Sequence, residues 1–179
     1  MTDAELIERS LDDGAAFALV FDRYYRAIHR FLRARVGADL ADDLASETFT
    51  IAFRRRAAYD LSRDDARPWL YGIGVNLLRE HRRAEERRLR AYARAPADGA
   101  SRSAEIGEGL DETLAAALLR LGVQDRNLIL LHAWAGLSYE QLADALALPL
   151  GTVRSRLART RAKLRASLEP AFAQGGGPA

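Results

Sequence analysis

Apolar residues recur at intervals of three and four along two long stretches of the chain, and this periodicity constrains the fold more than any other feature. The first stretch begins with Phe17, Val20, Phe21 and Tyr24 and continues to Leu32. An apolar residue at every third or fourth position is typical of an amphipathic helix. No run alternates in the way that favours a strand, so the sequence predicts an all-α protein.

A stretch rich in Ala, Gly, Ser and Pro separates the two helical parts. It covers residues 91–109 and has no apolar period, which is typical of a flexible linker. We therefore expect two small helical domains, residues 14–90 and residues 110–168, joined by this linker. Residues 169–179 end in a glycine-rich sequence and are expected to be a disordered tail.

Three helices are predicted in the first domain. The first ends near Gly37, the second runs from about Ala38 to Tyr59, and the third starts near Pro68. Because the residue before a proline is biased away from helix, the segment between the last two helices is predicted to be a loop.

Composition excludes several classes of protein. The 179 residues include no cysteine, so disulfide frameworks and thiolate metal sites are ruled out. The acidic start lacks the apolar core of a signal peptide, and no stretch approaches the roughly 20 apolar residues of a membrane span. We therefore expect a cytoplasmic protein that does not insert into membranes. No grouping of residues suggests catalysis or a metal site, so we expect no enzymatic activity and no cofactor.

Charge is distributed unevenly along the chain. Residues 61–100 contain nine basic and six acidic residues, and residues 151–179 contain six and one, whereas residues 101–150 contain three and seven. All 27 basic residues except Lys163 are arginine, whose planar guanidinium suits phosphate and guanine edges. Two separated basic segments favour two separate contacts with a polyanion.

The strongest local signal is a helix-turn-helix pattern in residues 138–165. Leu142 and Leu146 mark a first helix, and Val153 and Leu157 mark a second one after a short turn. A solvated helix would mix charges of both signs, but the outward face of the second helix is uniformly basic, which favours a nucleic-acid partner. That face carries Arg154, Ser155, Arg156, Arg159, Arg161 and Lys163.

Residues 137–165 read LSYEQLADALALPLGTVRSRLARTRAKLR. This segment resembles the promoter-reading helix-turn-helix of bacterial RNA polymerase sigma factors, specifically the extracytoplasmic-function (ECF, group 4) subfamily of the sigma-70 family. Three earlier segments are similar to sigma region 2, in the same order and spacing. They are FALVFDRYYRAIHRFLRARVG (its first conserved helix), DLADDLASETFTIAFRR (the helix that docks on the β′ clamp of the polymerase) and RPWLYGIGVNLLREHRR (the segment that recognises and melts the −10 element).

The resemblance implies a sigma factor that binds core RNA polymerase and directs promoter-specific initiation. It would recognise the −35 element as a duplex through a region 4 domain and the −10 element as a single strand through a region 2 domain, and assist strand opening. The implied polymerase contacts are the β′ clamp and the β flap, the latter through the apolar helix around Leu128 to Trp134. The resemblance also implies a cognate anti-sigma factor, association with the nucleoid when active, and a monomer when free of partners.

Residues that match the family's motifs are expected to carry these contacts. For polymerase binding they are Asp43 and Glu47, an acidic pair that would equally fit a solvated face, with Phe49 as an apolar anchor. For the −35 element they are Thr152, Arg154, Ser155, Arg156, Arg159 and Arg161, with Tyr139 and Glu140 near the DNA backbone.

The −10 element requires stacking surfaces and arginines, because melted DNA is held as a single strand. The residues of these types in the matching segment are Tyr59, Arg63, Trp69, Asn76, Arg79, Arg82 and Arg83, and the loop 57–67 would read the sequence. Trp69 follows Pro68 and fits a core position equally well.

Two other functions compete with this interpretation. A helix-turn-helix regulator would bind duplex DNA as a symmetric dimer without polymerase, but it leaves the acidic 42–47 face and the 68–83 segment unexplained. A sigma-like adaptor would sequester a partner without initiating transcription, and only the departures from the family pattern at Ser46 and Glu80 favour it.

Overall fold

The computed structural model describes residues 1–92 and 112–174, which form two compact units, one on each side of the gap. All regular elements in these two ranges are helical, which confirms the predicted fold class. No helix within them has both the length and the apolarity needed to cross a membrane. The predicted linker, residues 91–109, lies outside the described residues except for its first two, which belong to a helix.

The first unit contains the three predicted helices and an additional one before them. Its helices are α1 (Asp3–Asp12), α2 (Ala18–Val36), α3 (Ala38–Arg55) and α4 (Arg67–Tyr92), with short 3-10 turns at Gly14–Phe17 and Arg56–Ala58. Gly37 separates α2 from α3 with φ of 83°, a left-handed value that favours glycine. Helix α3 ends at Arg55 instead of Tyr59, because the backbone continues as a 3-10 turn over Arg56–Ala58, in which the Arg56 amide donates to the Phe53 carbonyl.

Helix α1 lies outside the predicted range 14–90, yet it packs against that range. Leu6 and Ile7 are completely buried, and the start of the helix is closed by a capping box in which Thr2 accepts from the Glu5 amide at 3.2 Å. This helix was not predicted, although its apolar residues recur at helical spacing.

In the second unit, three helices pack against one long helix. The elements are α5 (Glu112–Arg120), α6 (Val123–Ala133), α7 (Tyr139–Leu146) and α8 (Leu150–Gln174). The helix-turn-helix consists of α7 and α8, and its buried side chains include Leu142, Val153 and Leu157, as their spacing predicted. The turn begins at Ala147, which has a left-handed φ of 51°, and the Leu148 amide donates to the Ala143 carbonyl at 2.9 Å.

The tail that we expected to be disordered from residue 169 is helical as far as Gln174. Glu169, Ala171, Ala173 and Gln174 favour helix, so α8 continues beyond the predicted boundary in spite of Pro170. Residues 175–179 lie outside the described residues.

Candidate functional site

The outward face of α8 presents basic and small side chains. Val153, Leu157 and Thr160 point inward and are buried, which places Ser155 and Arg159 on the opposite, exposed side. Arg154 is also exposed, at one edge of this face, and Thr152 is half-buried at the other edge. A helix of this kind can enter a major groove, with arginines available for base edges and phosphates.

Two predicted contact residues on α8 are tied to neighbouring helices. Arg156 Nη1 donates a 2.6 Å hydrogen bond to Gln124 Oε1 on α6. Arg161 Nη1 donates to the Tyr139 hydroxyl at 3.0 Å, and the Tyr139 ring contacts His132 with centroids 5.3 Å apart. Both guanidinium groups are thus engaged with neighbouring helices of the same unit.

Glu140 lies at the start of α7, near the basic face. The hydroxyl of Ser138 donates to its carboxylate at 3.0 Å. Its own backbone amide, the Ser138 hydroxyl and Arg154 keep the pKa of Glu140 below its usual value. Arg154 Nη2 lies 4.0 Å from this carboxylate, so the guanidinium has a weak partner that it can exchange for phosphate.

One face of α4 collects four of the residues predicted to bind the −10 strand. Trp69, Asn76, Arg79 and Arg83 recur at helical spacing on the side opposite the buried residues, and Arg79 Nη1 donates to Asn76 Oδ1 at 3.3 Å. Arg82 lies away from this face and is paired with Glu86 at 3.1 Å.

Tyr59 does not fit its predicted role as an exposed stacking surface, because only 7% of the residue is exposed. Its hydroxyl donates to the Arg63 carbonyl at 2.5 Å, and its ring packs against Trp69 with centroids 5.0 Å apart. Burial raises the pKa of its hydroxyl above the usual range. Tyr59 thus supports the loop before α4, while the half-buried Trp69 keeps part of its indole accessible.

Arg63 is exposed on the loop between Tyr59 and α4, where Asp60 organises a tight turn. Arg63 Nε donates to Asp60 at 3.1 Å, and the Ser62 hydroxyl donates to the same carboxylate at 2.7 Å. These donors, Ser62 first, hold the pKa of Asp60 below its usual value.

On α3 the acidic pair is exposed, but the predicted apolar anchor is not. Asp43 and Glu47 lie on the outer face, where no partner is found among the described residues. Phe49 is only 4% exposed and is covered by Phe21 and Tyr25, with centroids 4.9 and 6.0 Å away. Phe49 therefore belongs mainly to the core between α2 and α3, although it also lines the edge of an apolar groove, and its contact with polymerase stays a prediction.

A shallow apolar groove lies beside the acidic pair. Its lining includes Phe21 and Phe53, which are 37% and 38% exposed, together with Ser46, Thr50 and Arg54 of α3, and its volume is about 480 Å³. Phe53 was not among the predicted contact residues, although a helical wheel places it on the same side of α3 as Ser46 and Thr50.

Comparison with known proteins agrees with this arrangement. Residues 20–88 match the family Sigma-70 region 2, and residues 111–164 match Sigma-70, region 4. The ECF RNA polymerase sigma factor SigM of Mycobacterium tuberculosis is 33% identical over 91% of this chain and 83% of its own length. The RNA polymerase sigma factor NccH of Alcaligenes xylosoxydans is 30% identical over 88% of this chain and 89% of its own length. This chain belongs to the ECF sigma factors.

A solved structure supports the same assignment. The sigma factor RpoE, in complex with the anti-sigma factor NepR from Bartonella quintana, is 25% identical with a TM-score of 0.66, covering 88% of this chain and 97% of RpoE. As an ECF sigma factor, the present protein directs RNA polymerase to promoters and functions in the initiation of transcription. The region 2 match covers all of α3 and most of α2 and α4, whereas α1 lies outside both matched ranges.

The helix expected to contact the β flap is mostly core in this sigma factor. Leu128, Ile129, Leu130 and Leu131 of α6 are all buried in the second unit, and Trp134 at its end is half-buried. The expectation rested on an apolar run, but a run that is apolar on all sides of a helix indicates burial. The apolar body of α6 is therefore not a free docking surface.

Proposed function

We propose that this sigma factor uses three surfaces, assigned residue by residue as follows. The outer face of α3, with Asp43 and Glu47, docks on the β′ clamp of core RNA polymerase. The face of α4 with Trp69, Asn76 and Arg83 holds the melted −10 strand. The outward face of α8 binds the −35 duplex in the major groove.

One observation carries the proposal: a single unit presents both an exposed acidic face on α3 and a face of α4 on which the partly exposed Trp69 lies beside the amide and arginine side chains. A conventional regulator that binds only duplex DNA needs neither surface. Single-stranded DNA requires stacking and cationic groups together, and Trp69 with Arg79 and Arg83 supplies both.

The groove beside the acidic pair enlarges the surface with which this sigma factor binds polymerase. Ser46 and Thr50 line it and lie on α3 next to Asp43 and Glu47, so a partner that engages the carboxylates also covers Phe21 and Phe53. An apolar centre surrounded by charged residues is the usual anatomy of a protein interface.

We further propose an anti-sigma factor as a regulatory partner. The RpoE structure that this chain resembles contains the anti-sigma factor NepR. An inhibitor that covers the α3 groove would compete directly with polymerase, because both would use the same exposed aromatic side chains.

Co-purification with core RNA polymerase tests the proposal. The wild-type chain is compared with Asp43→Lys/Glu47→Lys and with the matched control Glu8→Lys/Asp12→Lys, which reverses an exposed i,i+4 acidic pair on α1. We expect stoichiometric binding by the wild type and the control, and loss of binding by the α3 variant, because like charges would face the basic partner. If the wild type binds duplex DNA alone and not polymerase, the regulator hypothesis replaces this one.

A further inference from the structure

A buried carboxylate in α1 connects three parts of the first unit. Asp3 is 1% exposed, and its side chain accepts hydrogen bonds from the Tyr24 hydroxyl at 2.6 Å, from the Ala66 amide at 2.8 Å and from the guanidinium of Arg23. Its own amide donates to the Asp64 carbonyl at 3.2 Å. The cluster therefore joins the start of α1, the first half of α2 and the segment immediately before α4.

Such a cluster specifies geometry more than it adds stability. A buried charge is costly, and replacing a buried ion pair by apolar groups is often neutral or stabilising. Its hydrogen bonds, however, are directional and charge-assisted. Because Asp3 Oδ2 accepts from both Tyr24 and Ala66, the position of Ala66 relative to α2 is fixed to within hydrogen-bond tolerance.

The segment held by Asp3 is one end of the loop between Tyr59 and α4. The Ala66 carbonyl accepts from the Leu70 amide at 2.9 Å, so Ala66 initiates α4, and Asp3 satisfies an amide at that helix start. The earlier part of the loop is held by the hydrogen bond from the Tyr59 hydroxyl to the Arg63 carbonyl. Within this loop, residues 60–64 are exposed, and Leu61, Ser62 and Arg63 are among them.

We propose that Asp3 is a positioning residue for sequence recognition of the −10 element. It fixes the C-terminal end of the loop 57–67 and the start of α4, so that exposed loop residues and the face beginning at Trp69 meet the same stretch of single-stranded DNA. The inference rests on the proposed function, in which this loop and α4 bind the −10 strand. It assigns a role to α1, which neither family match includes.

A transcription assay on a promoter library tests this role. The holoenzyme, reconstituted from core RNA polymerase and the full chain, transcribes templates randomised at both the −35 and the −10 positions. The readout is the ratio of transcript from the favoured base to transcript from the disfavoured bases at each position. A wrong base pair typically reduces binding by about 5- to 150-fold, so the wild type is expected to show clear preferences at both elements.

The variant Asp3→Asn keeps one acceptor oxygen, replaces the other by an NH2 group and removes the negative charge of the carboxylate. We expect its preference at the −10 positions to fall several-fold, while its preference at the −35 positions stays unchanged because a different unit reads that element. The matched control is Thr2→Ala, which removes the cap of the same helix without touching the loop, and it is expected to retain both preferences.

A second variant keeps the test decisive if Asp3→Asn fails to fold. Tyr24→Phe removes one donor and leaves the carboxylate and its contact with Ala66 in place, and it is expected to weaken the −10 preference in the same direction but less. The proposal is overturned if a folded variant loses transcript equally on all templates with its −10 preference intact, which is the signature of a purely structural role. A wild-type holoenzyme without any −10 preference would instead overturn the proposed function itself.

Discussion

Arg161 Nη1 on α8 lies 3.0 Å from the hydroxyl of Tyr139 at the start of α7. This contact links the two helices of the helix-turn-helix at its edge, and Arg156 makes a comparable link to Gln124 on α6. In contrast, among the residues that the structure describes, Arg159 donates only to the Ser155 carbonyl of its own helix, at 3.3 Å. Arg156 and Arg161 of α8 thus contact neighbouring helices, whereas the guanidinium group of Arg159 can turn toward DNA.

Arg159→Ala is expected to weaken holoenzyme binding to the −35 element by about 1–3 kcal/mol, the usual value of an arginine that contacts a base edge. The measurement is the affinity of the reconstituted holoenzyme for promoter DNA at fixed salt concentration. Arg120→Ala is the control, because this exposed arginine of α5 lies off the recognition helix and its loss changes the net charge equally. Equal losses for both variants would indicate that only net charge matters.

Phe21→Ala and Phe49→Ala are expected to separate polymerase binding from stability. Phe49 is buried, so its truncation should lower the free energy of unfolding by about 3–5 kcal/mol. Phe21 is 37% exposed, so its truncation should cost less stability but weaken co-purification with polymerase. Urea unfolding and co-purification are measured on both variants. A Phe21→Ala variant that binds polymerase as well as the wild type would contradict the role of the groove.

Apart from α1, which was not predicted, the helices of both units were predictable because their apolar residues are visible in the sequence at helical spacing or as a short run. The burial of Phe49 was not predictable, because the rings that cover it belong to α2. The sequence pattern within α3 does not reveal which helix packs against it. Tyr59 was misassigned for the same reason: its ring is covered by Trp69 across a loop. Aromatic residues near a motif therefore need tertiary contacts before they can be assigned to a surface.

The Asp3 cluster shows a second limit of sequence reasoning. An aspartate in the first turn of a helix is usually explained by the helix dipole alone, and nothing local indicates that its carboxylate is buried against Arg23, Tyr24 and Ala66. Clusters of this kind are formed by residues far apart in the sequence, so neither the spacing of residues nor the composition of the chain predicts them.

Tyr24→Phe is expected to reduce stability at pH 8 and to matter less as the pH rises above 10. Burial, and then the hydrogen bond to Asp3, raise the pKa of the Tyr24 hydroxyl above its ordinary value of 10.0. The unfolded chain therefore loses this proton at lower pH than the folded chain does, so the stabilisation is complete below pH 10 and declines above it. Urea unfolding of both proteins from pH 8 to pH 11 gives the stability difference, and a difference that stays constant would contradict the prediction.

Ala147→Gly is expected to stabilise the second unit by up to about 1 kcal/mol. Ala147 ends α7 with φ of 51°, a left-handed conformation that costs a residue with a Cβ roughly 1–2 kcal/mol, part of which glycine loses again through its more flexible unfolded state. The side chain is exposed, so its removal costs no packing.

The matched control is Ala116→Gly, at an exposed position within α5, where the same substitution should destabilise by about 1 kcal/mol because glycine is a poor helix former. Urea unfolding is followed by fluorescence in a Trp69→Phe background. Since the chain contains two tryptophans, Trp134 then reports on the second unit alone. Opposite shifts of the unfolding midpoint are expected for the two substitutions. A destabilised Ala147→Gly variant would mean that the turn does not hold its left-handed conformation in solution.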